Sequence, residues 1–232
     1  MRSLGIIIFI LGIVLGLALA FAAIWSDFEG FAYYNTGAGY GSFNGLACPI
    51  LMTYSEKGTV TAAFKNPGSQ EIEPYYEVSV SGPVSSGQFE GQLSLPPHSS
   101  KTIQWTVDAS DIDLGFFIFV DLNILPVAGY STREDTCGIM VLNFSGPSGG
   151  QVLCVTLAAS LLAMMIGLGM WENSTNFNNS RAANQHRALQ ALGIVVLIAL
   201  FMSFLGAWGA GVIFCAMSIL LLVINLRLSI DG

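Results

Sequence analysis

Four stretches of the chain are apolar almost throughout and carry no charged residue: Leu4 to Trp25, Val152 to Trp171, Ala188 to Leu205 and Gly209 to Leu226. Each is about as long as the 17–25 residues that cross roughly 30 Å of hydrocarbon as a helix. The last two are separated by little more than Gly206, Ala207 and Trp208, which leaves room only for a tight helical hairpin. Between the first two stretches the pattern changes. Thr59 to Phe64 alternates, Asn66-Pro67-Gly68-Ser69 breaks it, and Tyr75 to Val80 alternates again up to Ser81-Gly82-Pro83. Gln88 to Leu95 closes on Pro96-Pro97, and Lys101 to Val107 places Ile103, Trp105 and Val107 on one face. Phe116 to Leu125 is richer in apolar residues, and Cys137 to Leu142 reads as the last strand. Period-two segments punctuated by Gly and Pro predict about seven strands of an all-β sandwich, with no helical period outside the apolar spans.

The expected fold is therefore a membrane α-helical protein with four transmembrane helices and an extracytoplasmic all-β, immunoglobulin-like sandwich. Its divisions are residues 1–25 (helix one), 26–47 (a Gly/aromatic linker), 48–150 (the sandwich) and 151–171 (helix two). A cytoplasmic loop, 172–187, and a helical hairpin with a short tail, 188–232, complete it. The first span reads as an uncleaved signal anchor, because its apolar run exceeds the 7–15 residues typical of a signal peptide.

Composition agrees with the pattern. The chain is 53% hydrophobic and only 10% charged, against about 25% charged in ordinary soluble domains. Arg2, Arg181, Arg187 and Arg227 fall on one side of a four-span topology, which the positive-inside rule makes cytoplasmic. Ser26 to Gln151 then lies outside, with 13 of the 15 acidic residues against four basic ones. So acidic a segment argues against nucleic acid or anionic lipid as its ligand. The linker aromatics Phe28, Phe31, Tyr33, Tyr34, Tyr40 and Phe43 fit an interfacial belt better than a stacking platform for sugar or lipid.

Cys48 and Cys137 bracket the strand pattern, and an even pair in an exported domain predicts a disulfide. Cys154 and Cys215 lie inside spans and read as small hydrophobes. Thr59-Val60-Thr61 through Lys65-Asn66-Pro67-Gly68, followed by Leu95-Pro96-Pro97-His98-Ser99-Ser100-Lys101 and the alternation to Val107, resembles bacterial and archaeal immunoglobulin-like domains of the CARDB adhesion type. Those domains carry glycine in the second turn where this chain has His98, and the disulfide departs from their pattern. The resemblance covers about a third of the chain and implies a sandwich with a binding or architectural role. The whole layout also resembles bacterial multi-span membrane proteins with such an ectodomain.

Residues for chemistry are few. The two histidines, His98 and His186, fall on opposite sides of the expected membrane, so no His-pair metal site is expected in one protomer. Asp108, Asp111 and Asp113 lack the turn glycine and final bidentate Glu of a calcium loop, and read as a solvated loop with a capping Asp. Arg133, Glu134 and Asp135 read as a salt-bridged loop near the disulfide. Sequons occur at Asn143, Asn173 and Asn178, of which only Asn143 would face outward. No catalytic residue, cofactor or metal ligand is expected. The spans contain no charge of the kind that marks ion routes, and only Asn225 is strongly polar near an end. Small-residue spacing at Gly12 and Gly16, and at Ala159, Ala163 and Gly167, suits close helix packing. These features point to a non-enzymatic envelope subunit with membrane lipids around it and membrane-protein partners or a second copy beside it. Recognition of a protein or glycan by a surface module, or a part in a transporter or channel, stays open beside that reading.

Overall fold

The computed structural model describes residues 2–34, 41–42, 45–82, 87–126, 132–173 and 180–230. The chain forms two compact units. One comprises Met1–Ile24 and Val152–Gly232, the other Trp25–Gln151.

The helical unit is built on α1 (Arg2–Tyr34, of which the last turns belong to the other unit), α2 (Gly149–Asn173), α3 (Ser180–Phe204) and α4 (Trp208–Ile230). All four are long and apolar enough to cross a membrane. α3 and α4 are joined by a turn in which Gly206 takes φ 71°, a conformation glycine adopts without strain.

The other unit holds two sheets. The larger runs β1 (Gly41–Ser42), β9 (Arg133–Leu142), β8 (Phe117–Ile124), β5 (Tyr75–Val80), β6 (Gly87–Gln92), with β3 (Leu51–Thr53) also pairing β9. The smaller runs β2 (Leu46–Ala47), β4 (Gly58–Lys65), β7 (Ser100–Val107). Nine strands are seen among the described residues, two of them only two residues long. Val60, Ala62, Phe64, Trp105 and Val107 of the smaller sheet join Val78, Ile118, Val120, Leu122 and Ile139 of the larger in one buried cluster. Trp105 is 7% exposed, while Thr102, Gln104 and Thr106 alternate outward. Period-two burial puts each apolar residue of these strands on the inner face.

The Asn66 turn, which breaks the strand pattern, is a hydrogen-bonding hub. Asn66 is 2% exposed; its Nδ2 donates to the carbonyls of Gln70, Leu95 and Pro96, and its Oδ1 accepts from Gly68 N. One buried amide thereby satisfies three carbonyls and a backbone amide, which fixes the turn to the start of β7. His98, where the resembled domains carry glycine, sits at φ 54° in the region that favours glycine.

Three expectations change. The stretch expected as a linker from residue 26 is helical through Tyr34. β9 begins at Arg133, so Arg133, Glu134 and Asp135 lie in a strand rather than a loop, paired to β8 and, through Arg133 and Glu134, to β1. β6 ends at Gln92, because Leu95 has left the strand to bridge Ile72. Tyr40, Phe43 and Asn178 lie outside the described residues.

Candidate interaction face

The larger sheet has an inner face toward the core and an outer face divided in two. Along β8 the even residues Ile118, Val120, Leu122 and Ile124 enter the core, yet Phe117, Phe119 and Asp121 are buried as well. A strand buried on both faces explains why its sequence reads as a nearly continuous apolar run.

What covers the outer side is the helical segment Trp25–Tyr34. Gly138 of β9 pairs with Phe119, and a Cβ there would meet the backbone carbonyl of Ser26 inside van der Waals contact. At Gly30 a Cβ would lie 3.2 Å from the Cys137 backbone. Asp27 Oδ1 accepts from Gly138 N at 3.3 Å, the Tyr33 ring lies tilted against Phe119 with centroids 4.8 Å apart, and Tyr33 OH donates to Asp113 at 2.7 Å. The contact positions Ser26, Gly30 and Tyr33 are spaced by four and then three residues, one face of a helix. Two of the three are small, so backbone approach rather than apolar bulk makes the contact, and a search for hydrophobic periodicity passes over it.

Beyond the helix the outer face turns acidic. Cross-strand pairing sets Glu77 opposite both Glu90 and Asn123, Asn123 opposite Glu134, and Asp121 opposite Ser79 and Thr136. Neutral donors hold several of the carboxylates. Tyr75 OH donates to Glu90, Gln92 Nε2 to Glu73 at 3.1 Å, and Ser94 Oγ to Glu71 at 2.6 Å. Asp121 is 4% exposed and accepts from Asn123 at 2.6 Å. Burial, reinforced by Glu134, pushes its carboxyl up to about 7; burial likewise pushes Asp135, opposite Leu122 on the inner side of β9, up to about 7. At the exposed Glu71, Glu73 and Glu90, hydrogen bonds from neutral groups leave the charge available to a cationic partner, whereas the buried Asp121 offers none.

The other expected positions fall as follows. Cys48 and Cys137 form a disulfide across a separation of 89 residues; Cys48 follows β2 rather than opening the first strand. Asp108 caps a single 3-10 turn, Ala109–Asp111, in a reciprocal capping box, and also pairs with Lys57 at 3.7 Å. Ser110 and Lys57 hold Asp108 below the usual carboxylate range. The three aspartates thus serve local backbone and side-chain bonds, and no group of His, Cys, Asp or Glu suited to a metal occurs among the described residues.

In the helical unit, a Cβ at Gly12 would lie 2.7 Å from Met164 N and from Ser160 O. Gly16 faces the Ser160 hydroxyl, and Gly167 faces the backbone of Phe9 and Gly5. Ala159, however, is exposed and Ala163 only half-buried; beyond the first turn the buried positions of α2 are Ser160, Met164, Gly167 and Trp171. A strict four-residue repeat advances 400° and drifts off a straight helix face, whereas steps of four, three and four average close to 3.6. Ser160 Oγ donates to Gly12 O at 2.7 Å, a polar contact that small-residue spacing alone does not reveal. His186 stacks on Trp171 with centroids 5.5 Å apart and lies 3.0 Å from Glu172.

No family model and no curated protein matches the chain. Among solved structures it is similar to the CARDB domain of a Pyrococcus furiosus protein, at 12% identity and a TM-score of 0.34, covering 45% of this chain and 95% of that one. It is also similar to a Paenibacillus cycloisomaltooligosaccharide glucanotransferase at 14% identity and TM-score 0.33, covering 44% of this chain and 14% of the enzyme. A Bacteroides uniformis β-glucuronidase matches at 8% identity and TM-score 0.30, over 41% of this chain and 12% of its own length. Similarity at this level assigns neither family nor activity.

Proposed function

We propose that the chain is a non-enzymatic integral membrane protein whose β-domain, a sandwich outside the cytoplasm, serves as the interaction module of a larger envelope or membrane assembly. The observation that carries the partner side of this reading is the acid-rich outer face of the larger sheet and the segment leading into β5, where Glu90 and, before β5, Glu71 and Glu73 are held by neutral donors. Such a surface suits a basic patch on a protein partner, through contacts that weaken with salt. The membrane side rests on four helices of spanning length and hydropathy.

Two measurements test it. Impermeant maleimide on intact cells should label Ser69→Cys, exposed in the turn beside Asn66, and leave Asn184→Cys unlabelled; labelling of the second from outside overturns the topology. The chain extracted in mild detergent should retain a stoichiometric partner at low salt and lose it with Glu77→Lys and Glu90→Lys together. A chain that stays alone and binds a sugar array is instead a glycan module. One that changes flux in proteoliposomes is a transport component.

A further inference from the structure

The smaller sheet ends on an open edge. β7 pairs with β4 over all eight of its residues, Gly58 opposite Val107 through Lys65 opposite Ser100, and with no other strand among the described residues. Backbone bonding directions follow from two neighbours. Ala63 N donates to Gly45 O, so Ala63 turns its polar backbone groups toward β2. Alternate residues point opposite ways, so Ala62 and Phe64 point to β7, where Ile103 and Lys101 face them. Ser99 O accepts from Asn66 N, which fixes the same alternation from the β7 side. Thr102, Gln104 and Thr106 therefore turn their N–H and C=O groups away from the sheet.

Natural proteins blunt such edges with proline, bulges, short strands or inward charges. β6, the edge of the larger sheet, carries Gly87, Gly91 and Glu90 in six residues. β7 is longer, regular, free of Gly and Pro, and rich in β-branched and aromatic residues, with Lys101 its single charge. Its surroundings also differ in sign. No Asp or Glu occurs in β2, β4 or β7, while Lys65 and Lys101 do. The strand acids, Glu77, Glu90, Asp121, Glu134 and Asp135, all belong to the larger sheet.

We propose that β7 pairs antiparallel with β7 of a second copy of this chain, across a twofold axis through Gln104. A second copy is the occupant that fits this edge. An isologous contact here brings two neutral-to-basic strands together and keeps both acidic faces out of the interface. Outward groups meet outward groups in that register: Gln104 lies opposite itself and Thr102 opposite Thr106 of the second copy, both ways. This gives six main-chain hydrogen bonds by geometry and places Thr–Thr pairs, favourable cross-strand neighbours, on the exposed side. The smaller sheets of the two copies then become one continuous sheet of twice the width. The inference is independent of the acidic face and of what binds there.

Native mass measurement of the full chain in mild detergent tests it. Wild type should give the mass of two copies. Gln104→Pro removes an outward N–H that the monomer does not use, so it should give one copy with an unchanged thermal melt. Ile103→Pro removes an N–H bonded to β4 and should lower the melt, which checks the edge assignment. Should Gln104→Pro lower the melt as well, Gln104→Lys decides, since two ammonium groups would face each other on the axis while the monomer keeps an exposed lysine. A wild-type mass of one copy overturns the proposal, as does a two-copy mass that both Gln104 variants retain. So does one copy carrying a different polypeptide that Gln104→Lys releases. Glu77→Lys with Glu90→Lys should leave the two-copy mass intact, which separates failure at the edge from failure at the acidic face.

Discussion

The two units place their apolar residues in opposite ways. In the β-domain, Phe64, Ile118, Leu122 and Ile139 are fully buried, and the outward positions of β4 and β7 are mainly Thr, Gln and Lys. In the helical unit Phe9, Ile13, Trp171 and Leu192 are buried between helices, but many other large apolar side chains are on the outside, with Ile7 63%, Val155 68% and Met165 70% exposed. Ser160 and Ser218 there are fully buried, and their hydroxyls donate to backbone carbonyls of Gly12 and Phe214. The β-domain is what water selects, because removing apolar area from water stabilises it by roughly 25 cal/mol per Å². Hydrocarbon offers no such drive between helices, which leaves close packing and hydrogen bonds to hold them. The exposed apolar surface goes with helices that are long and apolar enough to cross a membrane.

The largest test falls on the water-facing unit. Trp105→Ala should lower the stability of the β-domain by about 3–5 kcal/mol, because transfer energy is lost and a cavity remains beside Tyr76. Gln104→Ala, one residue away on the wet face, should leave the melt unchanged. Cys137→Ser should cost about 2–5 kcal/mol by freeing a long loop in the unfolded chain. Sheet circular dichroism of the detergent-solubilised chain reads all three. An unchanged melt for Trp105→Ala would mean that burial is not what holds this unit.

A second test uses pH. Asp121 and Asp135 are pushed from about 3.8 in the unfolded chain to about 7 in the folded one. Between those values the folded state holds more protons, so stability is greatest below about pH 4 and falls as pH rises through 7. The β-domain should melt several degrees higher at pH 5 than at pH 8. Asp121→Asn should flatten much of that slope. A melt that rises with pH would show that these carboxylates are charged and compensated when folded.

The longer strands were legible because period-two alternation and turn residues point to the same segments; β1, β2 and β3, of two or three residues, are too short to show a period. β5 runs from Tyr75 to Val80 as its alternation predicts, and β7 differs by one residue. The apolar spans were legible by length alone. Three things were not. The helical turns after Trp25 make contact through Ser26 and Gly30, which carry no hydrophobic signal. The α2 contact runs through Ser160 and Met164 rather than the neighbouring alanines, since spacing without tertiary contacts leaves the face undetermined. The acidic outer face needed the strand register, because Glu77, Glu90, Asp121 and Glu134 are far apart in sequence and adjacent only across β5, β6, β8 and β9.

The smallest effects sharpen the comparison on the helical side, where two glycines should respond with opposite sign. Alanine is a better helix former than glycine by about 1 kcal/mol, so an unobstructed Gly→Ala exchange stabilises a helix slightly. At Gly169 a Cβ would meet nothing within 4 Å, and Gly169→Ala should gain a few tenths up to about 1 kcal/mol. At Gly12 the same Cβ would lie 2.7 Å from Met164 N and Ser160 O, both backbone atoms that no side-chain rotation can move. The two helices must separate, and the Ser160 hydroxyl bond to Gly12 O lengthens with them. Overpacking of this kind costs about 1–3 kcal/mol, enough to outweigh the propensity gain. Titration of the purified chain with a denaturing detergent, followed by helical circular dichroism, reads both variants against wild type. Gly12→Ala should unfold earlier and Gly169→Ala no earlier than wild type. If Gly12→Ala instead gained as much as Gly169→Ala, close backbone approach would not be what holds α1 to α2, and the contrast between the two units would lose its helical half.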